Sequence, residues 1–91
     1  MTTRAYRLIS DDYDEPTIGD VLPKSNVWDG DEETDEELPG TCAFATRAAV
    51  DEYAQWSHGW IVEIEGEQVA TGDLPYEVII ADAVVVAVET K

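Results

Sequence analysis

The segment 46–65 constrains the fold of this chain more than any other stretch. Its letters, TRAAVDEYAQWSHGWIVEIE, predict one helix, a tight turn and one strand. Thr46 is a good N-cap, because its hydroxyl can accept from the free amides of the first helical turn. Gly59 suits a left-handed exit at the other end. The sequence therefore predicts one main helix over about residues 46–57, followed directly by a strand.

This helix is expected to pack on a sheet through Ala49, Tyr53 and Trp56, which recur at helical spacing, with Val50 and Ala54 alongside them. Alternating or continuous apolar runs predict strands before and after the helix. These strands are expected over residues 4–10, 41–44, 60–65, 76–80 and 84–89, the last two joined by a turn at 81–83. We therefore expect an α+β fold, with a mostly antiparallel sheet of four to six short strands and the one helix packed on it.

Residues 11–39 are expected to form a long acidic loop within a single domain, 1–91. This segment holds 12 of the chain's 21 acids and three of its four prolines. A short helix over 32–38 is an alternative, because acids favour a helix N-terminus. Trp28 lies inside the segment. A tryptophan in such a loop is either pinned to the core or an exposed contact residue, and both interpretations stay open.

The charge limits the classes of partner. The chain has 21 acidic and 5 basic residues, for a net charge of −16. Such a field repels nucleic acid and anionic membranes and favours a basic partner, for example a nucleic-acid-binding protein. Acidic charge can also serve solubility alone. No apolar run approaches the roughly 20 residues of a membrane span, and no apolar leader is present. With a single cysteine, these features lead us to expect a cytoplasmic location.

The sequence predicts no metal site. The alternating acids that begin at Asp29 suggest a calcium loop, but the EF-hand pattern needs glycine at the sixth position and glutamate at the twelfth. Those positions are Thr34 and Gly40. One histidine and one cysteine cannot supply a zinc ligand set. A Cys42–His58 nucleophile pair would lack a third group to orient it, so His58 is interpreted as a helix-terminus residue.

Four stretches in order resemble the core of the ADP-ribosyltransferase-like fold. They are AYRLIS, GTCAFATRAAVDEYA, IVEIEG and YEVIIADAVVVAVE. The resemblance implies an NAD site in which a basic residue on the first strand and a hydroxyl residue on the next bind the cofactor. It also implies a glutamate on a later strand that stabilises the ribosyl cation. The matching positions in this sequence are Arg7, Thr41 and Glu77.

Three functional hypotheses follow. The first is a small acidic, non-catalytic binding protein, of the kind that phages or mobile elements use as inhibitors and that can mimic DNA. The net charge of −16 favours it over an NAD-dependent enzyme, because such a field repels the diphosphate of NAD. Its partner-binding residues would be Trp28, Asp29, Asp31, Glu32, Glu33, Asp35, Glu36 and Glu37. The second is a minimal ADP-ribosyltransferase-like enzyme that uses NAD. The third is a component of a larger assembly that dimerises through the apolar strand 84–88 or a sheet edge.

Overall fold

The computed structural model describes residues 2–72, 74 and 76–90, and it is mostly β. The strands and the helix, in chain order, are β1 Thr3–Ser10, β2 Asn26–Asp29, β3 Glu32–Glu37, β4 Thr41–Phe44, α1 Arg47–Ala54, β5 Gly59–Thr71 and β6 Glu77–Thr90. The predicted strands at 4–10 and 41–44 are confirmed as β1 and β4.

Four of the strands close into an antiparallel barrel in the order β1-β4-β6-β5. β5 pairs with β1 through its first half and with β6 along most of its length, and β6 also pairs with β4. Apolar side chains from all four strands fill the interior, so the barrel is a packed core. The buried cluster comprises Ala5, Ala43, Val62, Ile64, Val78, Ile80, Ala83 and Val85.

The expected α+β fold is wrong. α1 has eight residues and lies against β1 and β4, where it buries Val50 and Ala54. The predicted core stripe is confirmed for Val50 and Ala54 and wrong for its two aromatic residues, since Tyr53 is 64% exposed and Trp56 is 88% exposed. Because inward-facing strand residues already fill the core, the helix contributes only small side chains to it. The predicted N-cap is confirmed, since the Ala49 amide donates to the Thr46 hydroxyl at 3.2 Å.

The two long strands replace several shorter ones that the sequence predicted. The predicted turn at 81–83 is instead a bend within β6, where Asp82 adopts a φ of 51°. Gly66 lies at the matching irregularity in β5, and a Cβ there would come within 2.4 Å of the Ala81 carbonyl oxygen. Such irregularities let a strand curve. Bent β5 and β6 therefore allow only four strands to close the barrel.

The predicted acidic loop is largely ordered structure. Residues 26–37 form the β2–β3 hairpin, so the helix considered over 32–38 is wrong. Upstream, the chain runs along β6 beyond the end of β4. The Gly19 amide donates to the Val85 carbonyl, the Val85 amide donates to Asp20, and the Leu22 amide donates to Ala83. This segment extends the sheet where β4 ends.

Candidate binding site: the acidic hairpin

The acidic hairpin, residues 26–37, is a two-stranded ribbon that projects from the barrel. Its strands pack on each other and only marginally on the other strands or the helix. Asp29 pairs with Glu32, so Gly30 and Asp31 form a two-residue loop. Gly30 has a φ of 63°, as the first loop position of a type II′ hairpin turn requires. The turn chemistry thus sets the register at the tip of the hairpin, and the register shifts between Trp28 and Asn26.

One face of the hairpin combines an aromatic ring with carboxylates. Trp28 lies directly opposite Glu33, and Asn26 lies opposite Glu37. Residues opposite each other in an antiparallel pair share a face. The Asn26 side-chain amide donates to the Glu33 carboxylate at 2.9 Å, which orients that carboxylate beside the ring. Trp28 is 62% exposed, so its side chain is not pinned to the core but is available as a contact residue.

Seven carboxylates lie on this hairpin, and none forms an ion pair within the described part of the chain. All seven residues are exposed. They are Asp29, Asp31, Glu32, Glu33, Asp35, Glu36 and Glu37. Strand residues rise about 3.4 Å each, so neighbouring carboxylates along β3 are close enough to repel one another. The hairpin therefore concentrates negative charge without internal compensation.

The described arginines are engaged on the barrel. Arg4 contacts Glu63 and Glu65. Arg47 donates to Glu89 at 2.5 Å and to Asp51 at 2.8 Å, linking the helix to the end of β6. These hydrogen bonds, that to Glu89 first, raise the pKa of Arg47 further above its ordinary value. The Arg47 hydrogen bond and charge lower the pKa of Glu89. No arginine ion pair in the described chain reaches the hairpin.

The base of the hairpin is fixed to the barrel by backbone and hydroxyl groups. The Leu38 amide donates to the Ser25 carbonyl at 2.7 Å, and the Ser25 amide donates to Gly40 at 3.0 Å. The Ser25 hydroxyl accepts from the Cys42 amide at 3.0 Å. Gly40 is buried, and a Cβ there would lie 2.4 Å from the Ile80 carbonyl oxygen. These contacts hold the hairpin at the start of β4.

The structure does not gather the residues implied by the ADP-ribosyltransferase resemblance into one cleft. Thr41 is buried opposite the core residue Ile80, and its hydroxyl donates to the Pro23 carbonyl at 2.7 Å. Arg7 donates to the Cys42 carbonyl at 2.5 Å. Glu77 lies three residues before Ile80, so strand alternation places it on the other face of β6. The NAD-dependent activity stays a prediction from the sequence.

Metal ligation has no support in the described part of the chain. Within residues 2–72, 74 and 76–90, no three His, Cys, Asp or Glu side chains are grouped to hold an ion. His58 is exposed just after the helix, and its backbone carbonyl accepts from the Asp11 amide at 3.2 Å. The one helix in this part of the chain has eight residues, too few for a membrane crossing.

Sequence reasoning missed two hairpin residues that shape the site. Gly30 sets the turn and Asn26 orients Glu33. The signal for the first was present, since a Gly-Asp pair between two runs of strand length is a hairpin signature. Asn26 carried no comparable signal, because its partner is defined only by the register of the hairpin.

No model of a protein family, no curated protein and no solved structure matches this chain.

Proposed function

We propose that this chain is a non-catalytic binding protein that docks its acidic hairpin on the basic surface of a nucleic-acid-binding protein and so blocks the partner's nucleic-acid contacts. The observation that carries the proposal is the set of seven exposed carboxylates, without ion-pair partners in the described chain, on a ribbon that projects from the barrel. Acidic residues that served solubility alone would not need to lie on a ribbon that is fixed to the barrel. We propose that the protein acts in the cytoplasm.

The density of charge along β3 supports mimicry of a nucleic-acid backbone. Five of its six residues are acidic. An antiparallel strand rises about 3.4 Å per residue, and one strand of DNA carries one phosphate per about 3.4 Å of helix axis. The linear density of negative charge is therefore similar. Alternation along the strand divides the carboxylates between two faces, so the mimicry concerns charge density rather than the positions of individual phosphates.

The exposed ring of Trp28 favours binding of a protein partner over nonspecific association with small cations. Tryptophan is enriched among the residues that dominate protein interfaces, and its ring face attracts arginine and lysine side chains. Glu33 lies beside that ring and supplies an anion for the same cationic group. A partner surface rich in arginine meets both features at once.

Competition with nucleic acid tests this proposal. The chain is immobilised and exposed at low salt to purified, nuclease-treated DNA- and RNA-binding proteins from a cell extract. Duplex DNA or RNA is then added as a competitor. We expect a bound protein to be released both by nucleic acid and by rising salt, because phosphates and carboxylates would occupy the same basic groups. Binding that persists in excess nucleic acid and high salt would overturn the proposal.

A further inference from the structure

A second surface lies at the opposite end of β4 from the acidic hairpin, and we propose that it binds an arginine side chain of a protein partner. We call it the aromatic shelf, and define it as Phe44, Tyr53, Tyr76 and Glu77. The inference goes beyond the hairpin, because it assigns a separate contact with its own chemistry. It rests on the proposed function only in taking the partner to be a basic protein.

Three rings form a continuous group on the outside of the barrel. The Phe44 ring lies 4.9 Å from that of Tyr53 and 5.7 Å from that of Tyr76, measured between centroids. Tyr53 is 64% exposed and Tyr76 is 41% exposed. Phe44 is half-buried between them. Ring contacts of this kind fix the orientation of both tyrosines, so the shelf presents ordered aromatic surface to solvent.

A carboxylate lies on the same outer face. Glu77 is directly opposite Phe44 in the β4–β6 register. Its side chain lies over Gly72, on the β5 side of β6, where a Cβ would come within 2.0 Å of a Glu77 carboxylate oxygen. No arginine or lysine in the described chain forms an ion pair with it. Glycine at position 72 leaves the space that this carboxylate occupies on the outer face of the sheet.

The chemistry of the shelf selects a cation. The face of a tyrosine ring attracts a guanidinium or an ammonium group, and a carboxylate can accept two hydrogen bonds from a guanidinium. Arginine can stack its planar group on a ring while it donates to a carboxylate, and lysine lacks that planar geometry. A second copy of the chain is a poor occupant, because each copy carries a net charge of −16.

The arrangement gives a partner two separate contacts. β4 has four residues, with the base of the hairpin at Thr41 and the shelf at Phe44. The base of the hairpin and the shelf are therefore about 10 Å apart along the strand. A basic surface that extends beyond the hairpin can engage both, and the second contact then adds affinity without further ordering of the chain.

The test uses a chain in which four hairpin acids, Glu32, Asp35, Glu36 and Glu37, are changed to glutamine or asparagine, so that failure of the hairpin hypothesis does not affect the result. The probe is a synthetic peptide of alternating arginine and glycine, compared with the same peptide carrying neutral citrulline. Nuclear magnetic resonance follows the ring signals of Tyr53 and Tyr76 during titration. We expect shifts with the arginine peptide and none with the citrulline peptide.

Matched variants locate the contact. Tyr53→Leu removes an exposed ring of the shelf, and Tyr13→Leu removes a ring that is 72% exposed elsewhere. We expect Tyr53→Leu and Glu77→Gln each to weaken arginine-peptide binding about two- to fivefold, and Tyr13→Leu to leave it unchanged. Equal effects of Tyr53→Leu and Tyr13→Leu, or ring shifts that Glu77→Gln does not reduce, would overturn the assignment.

Discussion

The Nη1 atom of Arg7 on β1 lies 2.5 Å from the carbonyl oxygen of Cys42 on β4. β1 and β4 share a single register pair, Tyr6 with Phe44. Arg7 lies two residues after the core residue Ala5, so the two side chains are on the same face of β1. The guanidinium thus supplies a hydrogen bond between two strands that share only that register pair, which gives Arg7 a structural role.

Replacement of Arg7 tests that role. We expect Arg7→Met to lower the free energy of unfolding by about 1–3 kcal/mol, because a hydrogen bond from a charged group to a partly buried carbonyl is lost. The control is Arg4→Met, which removes the same charge from an exposed position on the same strand. Urea denaturation measures both. A loss no larger for Arg7→Met than for Arg4→Met would contradict the structural role.

Gly59 is a position where the fold requires glycine. It has a φ of 139°, and a Cβ there would lie 2.1 Å from the Ile9 carbonyl oxygen. We expect Gly59→Ala to destabilise the barrel by several kcal/mol, because backbone strain and a backbone clash add together. Gly19→Ala is the control, since Gly19 also has a positive φ but open space around it. Its expected cost is about 1–3 kcal/mol, from backbone strain alone. Thermal unfolding of both variants distinguishes clash from strain.

The Arg47–Glu89 contact predicts a pH dependence. The pKa of Glu89 is lower in the folded chain than its ordinary value, so the folded state binds this proton less tightly than the unfolded state. Its stabilising contribution is present above the unfolded pKa of about 4.3 and is lost as the pH falls through the folded pKa.

We therefore expect Glu89→Gln to lower stability at pH 7 relative to Glu52→Gln, an exposed acid on the helix that removes the same charge. The difference between the two variants should shrink between pH 7 and pH 3, because over that range the unfolded wild-type chain takes up the Glu89 proton more readily than the folded chain. Urea unfolding at both pH values measures it. A difference that stays constant between pH 7 and pH 3 would refute the contribution of this ion pair.

The sequence predicted local structure better than the way its elements pack. β1, β4 and the Thr46 cap follow from alternation and capping chemistry, which act within a few residues. The helix face was predicted only in part: the core accepts Val50 and Ala54, whereas the aromatic residues that dominate the apolar stripe stay exposed. The closure of the barrel depends on bends at Gly66 and Asp82, and no local pattern distinguishes such a bend from a turn.

The candidate site was located by composition but not by shape. The run of acids around Asp31 marked the right residues as unusual. β3 was missed because glutamate and aspartate are depleted in strands, and pairing with β2 overrides that preference. The aromatic shelf was missed because Tyr53 and Tyr76 lie far apart in the chain and meet only through Phe44.

The most direct test of the hairpin hypothesis compares two variants of equal charge. One neutralises Glu32, Asp35, Glu36 and Glu37 on the hairpin. The other neutralises four exposed acids in the upstream segment, Asp11, Asp12, Asp14 and Glu15. Both are titrated by calorimetry at low salt with protamine, an arginine-rich DNA-binding protein. We predict that the hairpin variant loses on the order of tenfold more affinity than the upstream variant. Equal losses in the two variants would show that net charge alone drives binding, and would contradict a site on the hairpin.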